Sequence, residues 1–315
     1  MLKILNQQEI EKILSELDPV PLITEGFSAY SRGEAVIPPV GELLFEDPPG
    51  DVHIKYGYIK NSRYYVVKIA SGFYQNVRLG LPSGNGLMLL FDQKTGELLA
   101  VLLDGGILTD ARTAAAGAVA ARYLAPDQIS ALGILGAGVQ GRLQLLALKP
   151  MIPCRSVWVW GLNRDELEAY RRDIEPQGYT VNTTLEAQEV AAHSNLIVTA
   201  TPSRAPLLQA QDLLPGTHIT AMGADTPEKN ELDPGILEKA DLVVADSRAQ
   251  CRVRGEISQA LRQGRLDMEA VSELGEIILE RKPGRTGEDQ LTVADLTGVA
   301  VQDLQIAKAV YEYQS

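Results

Sequence analysis

The stretch Ala131-Leu-Gly-Ile-Leu-Gly-Ala-Gly-Val-Gln-Gly-Arg142 decides the reading of the fold. The apolar run Ala131 to Leu135 reads as a buried strand. It enters Gly136-x-Gly138-x-x-Gly141, and a helix-forming segment, Leu143 to Leu148, follows. Strand, glycine turn and helix in this order are the context that a dinucleotide-binding fingerprint requires. Gly136 permits the tight turn, Gly138 lets backbone approach a pyrophosphate with no Cβ in the way, and Gly141 lets the helix pack close to the strand. The N–H groups that open a helix lack intrahelical partners and can bind phosphate oxygens. The bland alternative is a tight strand-to-helix turn in another kind of α/β domain.

Downstream, to about residue 296, the pattern alternates strand and helix. Strands are expected at Ala131–Leu135, Ser156–Trp160, Leu196–Ala200, His218–Ala221 and Leu242–Ala245. Helical segments are expected at 140–149, 164–174, 185–192, 207–212, 234–239 and 256–263. That alternation predicts a Rossmann-type doubly wound parallel sheet. Upstream the pattern differs. Asn6 and Glu9 form a capping-box pair at the start of a helix over 7–16, and a second helix covers 20–32. Strand-like runs follow at Val52–Ile59, Tyr64–Ser71, Gly86–Asp92 and Leu98–Leu103. Short turns such as Lys60-Asn61-Ser62 and Gln93-Lys94-Thr95-Gly96 separate them. Short connections imply antiparallel neighbours, so this part is an α+β domain with a mainly antiparallel sheet. The last stretch, Thr297 to Tyr313, reads as a helix that returns to it. The expected boundaries are 1–118 with 298–315 for this domain and 119–297 for the Rossmann domain.

Between the two parts lies an alanine-rich helix, Leu108 to Leu124, which Thr109 or Asp110 can cap. Arg112 falls in its first turn, where the helix dipole disfavours a cation. Either it binds an anion there or it reaches an exposed carboxylate.

The 315 residues carry a formal net charge of −12. That argues against a nucleic-acid or anionic-membrane partner and fits an enzyme of small molecules. Cys154 and Cys251 are far apart and lie in no CxxC. His53, His193 and His218 form no metal motif. No apolar run approaches the roughly 18 residues of a membrane span. The N-terminal Met-Leu-Lys-Ile-Leu-Asn-Gln-Gln-Glu has charge where a signal peptide would be apolar. The expectation is a cytoplasmic protein without a metal.

Several pieces, in order, resemble the ornithine cyclodeaminase/mu-crystallin family over nearly the whole chain. They are Val67-Lys68-Ile69, Leu108-Thr109-x-x-Arg112-Thr113-Ala114-Ala115, Gly136-Ala-Gly138-Val-Gln140 and Gly223-Ala-Asp225-x-Pro227-x-Lys229-x-Glu231-Leu232. Ala240-Asp241, Asp246-Ser247, Gly255-Glu256 and Thr297-Gly298-Val-Ala-Val-Gln302-Asp303 complete the set. The resemblance implies that the chain-end domain binds substrate and dimerises, giving a homodimer. It also implies hydride transfer with NAD(P) at the α-carbon of a small amino or imino acid. By the same resemblance Arg112 and Lys68 hold the substrate carboxylate, Lys68 shares in proton handling, and Asp225 is the acid/base group. Gly136, Gly138, Val139 and Gln140 cradle the pyrophosphate. Thr113, Thr199, Thr201, Lys229, Thr297 and Gly298 are further cofactor candidates.

Three departures from the family pattern stand out. Many members have Pro-Pro-Arg where this chain has Pro38-Pro39-Val40, so His53 or Lys55 on the next strand is the candidate replacement carboxylate ligand. Leu296 precedes Thr297 where the family often has Ser. The second Rossmann strand ends at Gly161, followed by Asn163 and Arg164. A carboxylate at that place would bind an NAD ribose, so its absence beside Arg164 leans the cofactor towards NADP. The expected activity is reduction of a cyclic ketimine such as Δ1-pyrroline-2-carboxylate, or amino-acid dehydrogenation. The alternatives are ornithine cyclodeaminase with bound NAD, and a non-catalytic NADP- and ligand-binding protein like mu-crystallin.

Overall fold

The computed structural model describes residues 2–313, save the side chains of Tyr74 and Val77. The chain divides into two compact units, Met1–Thr113 with Val299–Ser315, and Ala114–Gly298.

The first unit begins with β1 (Lys3–Leu5), α1 (Gln7–Leu14) and α2 (Pro19–Ser31). The capping box at α1 is present in both directions: Glu9 N–H donates to Asn6 Oδ1, and Asn6 N–H donates to Glu9 Oε2. Then come β2 (Ala35–Val36), β3 (Gly41–Glu46), β4 (Pro49–Ile59), β5 (Tyr64–Gly72), β6 (Gly84–Asp92) and β7 (Leu98–Leu102), followed by α3 (Ile107–Leu124), whose residues from Ala114 on belong to the second unit. The sheet order is β1-β7-β6-β5-β4-β2, with β3 also on β4. Every pairing is antiparallel except β1 with β7. Alternation gives the sheet two faces. Tyr64, Val66, Met88, Leu90 and Leu102 are buried on one face, in a cluster with Leu304, Ile306 and Val310 of the C-terminal helix. On the other face Tyr56 and Ile69 are exposed, and Leu43, Leu44 and Phe45 of β3 are exposed as well.

The second unit contains β8 (Leu132–Leu135), α4 (Val139–Leu148), β9 (Ser156–Trp160), α5 (Arg164–Ile174), β10 (Thr180–Thr184), α6 (Ala187–His193), β11 (Leu196–Thr199) and β12 (His218–Ala221). It continues with α7 (Pro234–Lys239), β13 (Leu242–Ala245), α8 (Arg248–Cys251), α9 (Gly255–Arg262), β14 (Val271–Glu273), α10 (Leu274–Ile278) and β15 (Thr292–Asp295). The strands form one parallel sheet in the order β10-β9-β8-β11-β12-β15-β13-β14. All four residues of β8, β11, β12 and β15 are buried, as expected of parallel strands covered on both faces. The last helix, α11 (Ala300–Glu312), belongs to the first unit, where it packs on α2 and on β4 to β6.

Two sequence expectations are corrected. Residues 207–212 form no α-helix; only the 3-10 turn Ala210–Asp212 is present. Leu208 instead bridges to Leu232, and Leu207 N–H donates to Glu231 O, so the backbone there is already paired. The second correction concerns α3, which starts at Ile107. Gly105 and Gly106, with φ of 59° and 101°, turn the chain so that Asp104 Oδ2 accepts from Leu108 N–H at 3.0 Å. Thr109 and Asp110 therefore lie inside the helix, and Arg112 sits in its second turn. The strands β2, β3, β10, β14 and β15 are not among those expected from the sequence.

Candidate functional site

In the first unit, Lys55 on β4 lies directly opposite Lys68 on β5. Both are on the buried face, with relative exposures of 5% and 2%. Like charges directly opposite one another in a sheet destabilise it, and burying them costs more. The described contacts show what offsets this at Lys68. Its Nζ lies 3.3 Å from Asp303 Oδ1, and Arg112 Nε lies 3.0 Å from the same oxygen. The Arg112 contact is an ion pair by distance but lacks the alignment of a hydrogen bond. Arg112 Nη1 donates to Gln302 Oε1 at 2.8 Å. Burial lowers the Lys68 ammonium to about 7; Asp303 opposes the shift, while Arg112 and Lys55 add to it. Burial alone would raise Asp303, but Lys68, Arg112 and Lys55 together hold its carboxyl below the ordinary range. This cluster of buried cations can bind a small carboxylate, with the planar fork of Arg112 giving direction.

Of the other two substrate candidates, His53 is engaged with β3, its Nε2 2.9 Å from Glu42 Oε1. Lys55 faces into the cluster. Gln302 and Asp303 are partners to which the sequence assigns no role. The available signal is the polar pair Gln302-Asp303 in the first turn of α11.

In the second unit, the glycine turn joins β8 to α4. Gly136 has φ of 113°, and a Cβ there would lie 2.6 Å from Ala200 O. A Cβ on Gly141 would lie 2.0 Å from Gly136 O. Gly138 is the N-cap of α4, and nothing lies within 4 Å of where its Cβ would be. No side chain caps α4, and Val139, its first residue, is exposed. An open glycine before uncapped helical N–H groups suits a pyrophosphate. Gln140 Oε1 accepts from Gln144 Nε2 at 3.2 Å. Gly141→Ala should abolish dinucleotide binding, because α4 cannot stay this close to the turn. Cofactor fluorescence titration checks it, and wild-type affinity in the variant would remove the glycine turn from the cofactor site.

The remaining candidates hold one another. Thr199 Oγ1 and Thr201 Oγ1 each donate to buried Glu231 at 2.7 Å, and Gly223 N–H donates to it at 2.9 Å. Asp225 Oδ1 accepts from Lys229 Nζ at 2.7 Å, and Arg254 Nη1 donates to Asp225 O. Thr297 Oγ1 and Gly298 N–H both donate to Asp246. Asn163 caps α5 by accepting from Glu166 N–H, and exposed Arg164 opens that helix. Gly161 follows β9 directly, so no carboxylate stands at the strand end. Thr113 lies within α3.

Glu256 accepts from Glu231 N–H, Leu232 N–H and Asn230 Nδ2. Burial first, and Glu231 second, push it from 4.5 up to about 8. A carboxyl raised on folding stabilises fully below its unfolded value, and that stability is lost as pH rises through the folded value. The melting temperature should therefore fall between pH 6 and pH 8.5, and Glu256→Gln should flatten that slope. Thermal melts across the range check it; an unaltered slope would mean that Glu256 is ionised in the fold.

Among the described residues, no three His, Cys, Asp or Glu side chains are grouped to hold a metal ion, and no helix is long and apolar enough to cross a membrane.

The two units, a parallel sheet entered by a glycine turn and a mainly antiparallel sheet bearing buried cations, define a Rossmann-type α/β protein with a second, α+β unit. The sequence profile of the ornithine cyclodeaminase/mu-crystallin family matches residues 2–315, and the chain belongs to that family. An uncharacterized cyclodeaminase of Sinorhizobium fredii is 41% identical, covering 99% of this chain and 95% of the relative. An archaeal alanine dehydrogenase dimer with bound NAD is similar in structure, with a TM-score of 0.90 at 34% identity over 99% of this chain and 95% of that one. The Thermococcus litoralis Δ1-pyrroline-2-carboxylate reductase, in complex with NADH and L-proline, gives a TM-score of 0.92 at 29% identity over 98% and 96%.

Proposed function

We propose that this protein is a nicotinamide-dependent enzyme that transfers hydride at the α-carbon of a small L-amino or cyclic imino acid. A cyclic ketimine of the Δ1-pyrroline-2-carboxylate type is the favoured substrate. The observation that carries this reading is the buried Lys68–Arg112 pair on Asp303, a site built for a carboxylate. Lys68 and Arg112 hold the substrate carboxylate, with Lys55 as a third cation beside them. The nicotinamide supplies or accepts the hydride. Asp225 delivers a proton to the imine nitrogen as the α-carbon receives hydride, so that C=N becomes CH–NH. The pyrophosphate lies on the glycine turn, at Gly136, Gly138, Val139 and Gln140.

NADP is favoured over NAD, supported by the missing carboxylate at Gly161 and by exposed Arg164. The archaeal dehydrogenase and the Thermococcus reductase above carry NAD and NADH, so the preference is slight. The protein is a homodimer joined through the open face of its antiparallel sheet, where Leu43, Phe45, Tyr56 and Ile69 are exposed.

The test is a nicotinamide absorbance assay with Δ1-pyrroline-2-carboxylate and NADPH or NADH in separate cuvettes, beside L-ornithine with NAD scored for ammonia and proline. Oxidation of reduced cofactor by the imine is expected, faster with NADPH. Ammonia and proline from ornithine without net redox change would instead assign cyclodeaminase activity. No turnover in any cuvette would count against the ketimine substrate.

A further inference from the structure

We propose that Asp303 is the positioning residue of the carboxylate site: it fixes Lys68 and Arg112 and keeps Lys68 a cation. The proposal rests on the reading that Lys68 and Arg112 hold the substrate carboxylate.

The two cations come from different elements, β5 and α3, and Asp303 comes from a third, α11. A single fully buried oxygen, Oδ1, lies 3.3 Å from one cation and 3.0 Å from the other. A lysine ammonium on a flexible stem has no direction of its own, so a fixed anion is what places it. Gln302, one residue earlier in the same turn, accepts from Arg112 Nη1. Two adjacent side chains of α11 thus grip the guanidinium at Nε and at Nη1.

Asp303 Oδ1, Asp303 Oδ2 and Gln302 Nε2 are all buried and have no hydrogen-bond partner among the described residues, Oδ1 meeting its two cations by ion-pair contact alone. Buried polar side-chain atoms normally have at least one hydrogen-bond partner, and those that lack one call for an explanation. Spare capacity at both side chains fits a site that a ligand completes.

The charged groups facing Lys68 are Lys55 from β4, Arg112 from α3, Asp303 from α11 and, further off, Asp104 after β7; β6 presents apolar Met88. Burial and the two other cations all favour the neutral amine, and Asp303 is the largest influence against them. Without Asp303, Lys68 would lose its proton at lower pH and with it the attraction for a carboxylate.

The experiment is a calorimetric titration of pyrrole-2-carboxylate, a flat carboxylate, into wild type, Asp303→Asn and Asp303→Glu from pH 5.5 to 9, with circular dichroism as the check on folding. Wild-type affinity should fall as pH passes about 7. In Asp303→Asn that fall should move down by about one pH unit or more. Asp303→Glu, which keeps the charge but displaces it, should keep the wild-type midpoint and bind at least about tenfold more weakly. A wild-type midpoint in folded Asp303→Asn would overturn the positioning role alone. If Asp303→Asn does not fold, wild-type affinity in Asp303→Glu would overturn it. A wild type that binds no carboxylate would remove the underlying reading and this proposal together.

Discussion

Arg112→Ala should lower kcat/KM roughly a thousandfold, mostly through KM, while leaving dinucleotide affinity unchanged. The size follows from the kind of contact. Removing one member of a buried charge pair costs about 3–5 kcal/mol, and about 4 kcal/mol is a factor of a thousand. The truncation also strips Gln302 Oε1 of its donor and leaves Asp303 with Lys68. Arg112→Lys should recover only part of the loss, because an ammonium cannot meet Gln302, Asp303 and a bidentate ligand at once. Steady-state kinetics with the imine, and cofactor fluorescence titration on the same samples, check both halves. Unchanged kinetics would remove Arg112 from the substrate site; loss of cofactor binding alongside would indicate a damaged fold.

Asp225→Asn should act on the other parameter. Removing a positioned proton donor typically costs about 10²–10⁴ in rate, so kcat should fall by that order while KM stays within a few-fold. The substitution also breaks the Asp225–Lys229 ion pair, but Asp225 is 31% exposed on its side chain, so little stability should go with it. Single-turnover absorbance traces separate binding from the chemical step. A near-normal kcat would take Asp225 out of the mechanism.

Much of this is legible in the sequence. The glycine turn is largely local, since Gly136, Gly138 and Gly141 lie within six positions of one another, although Ala200 O, which crowds Gly136, comes from a distant strand end. The antiparallel hairpins from β4 to β7 were legible for the same reason: alternation and short turns fix neighbours. β15 was not, because Thr292-Val-Ala-Asp295 is four residues long and joins the sheet between β12 and β13, strands far away in sequence. The segment 207–212 looked helical because its apolar residues recur at helical spacing, yet a distant stretch, Glu231-Leu232, takes its backbone.

The candidate site divides along the same line. Arg112 stands out as a cation near the start of an alanine-rich helix, and Lys68 through the family resemblance. Their geometry does not, since the residue that joins them, Asp303, is separated from Arg112 by most of the chain. The helix start was misplaced by a few residues because Asp104 caps it across two left-handed glycines. That moved Arg112 from the first turn, where the helix dipole would be its main neighbour, to the second, where α11 is.

The most direct test of hydride transfer at the α-carbon is isotopic. Δ1-Pyrroline-2-carboxylate is reduced with NADPH deuterated on the transferred face of C4, and the product is read by mass spectrometry and proton NMR. One deuterium at the α-carbon of L-proline is the predicted result. Proline labelled at another carbon, or unlabelled proline formed while the cofactor is consumed, would contradict it.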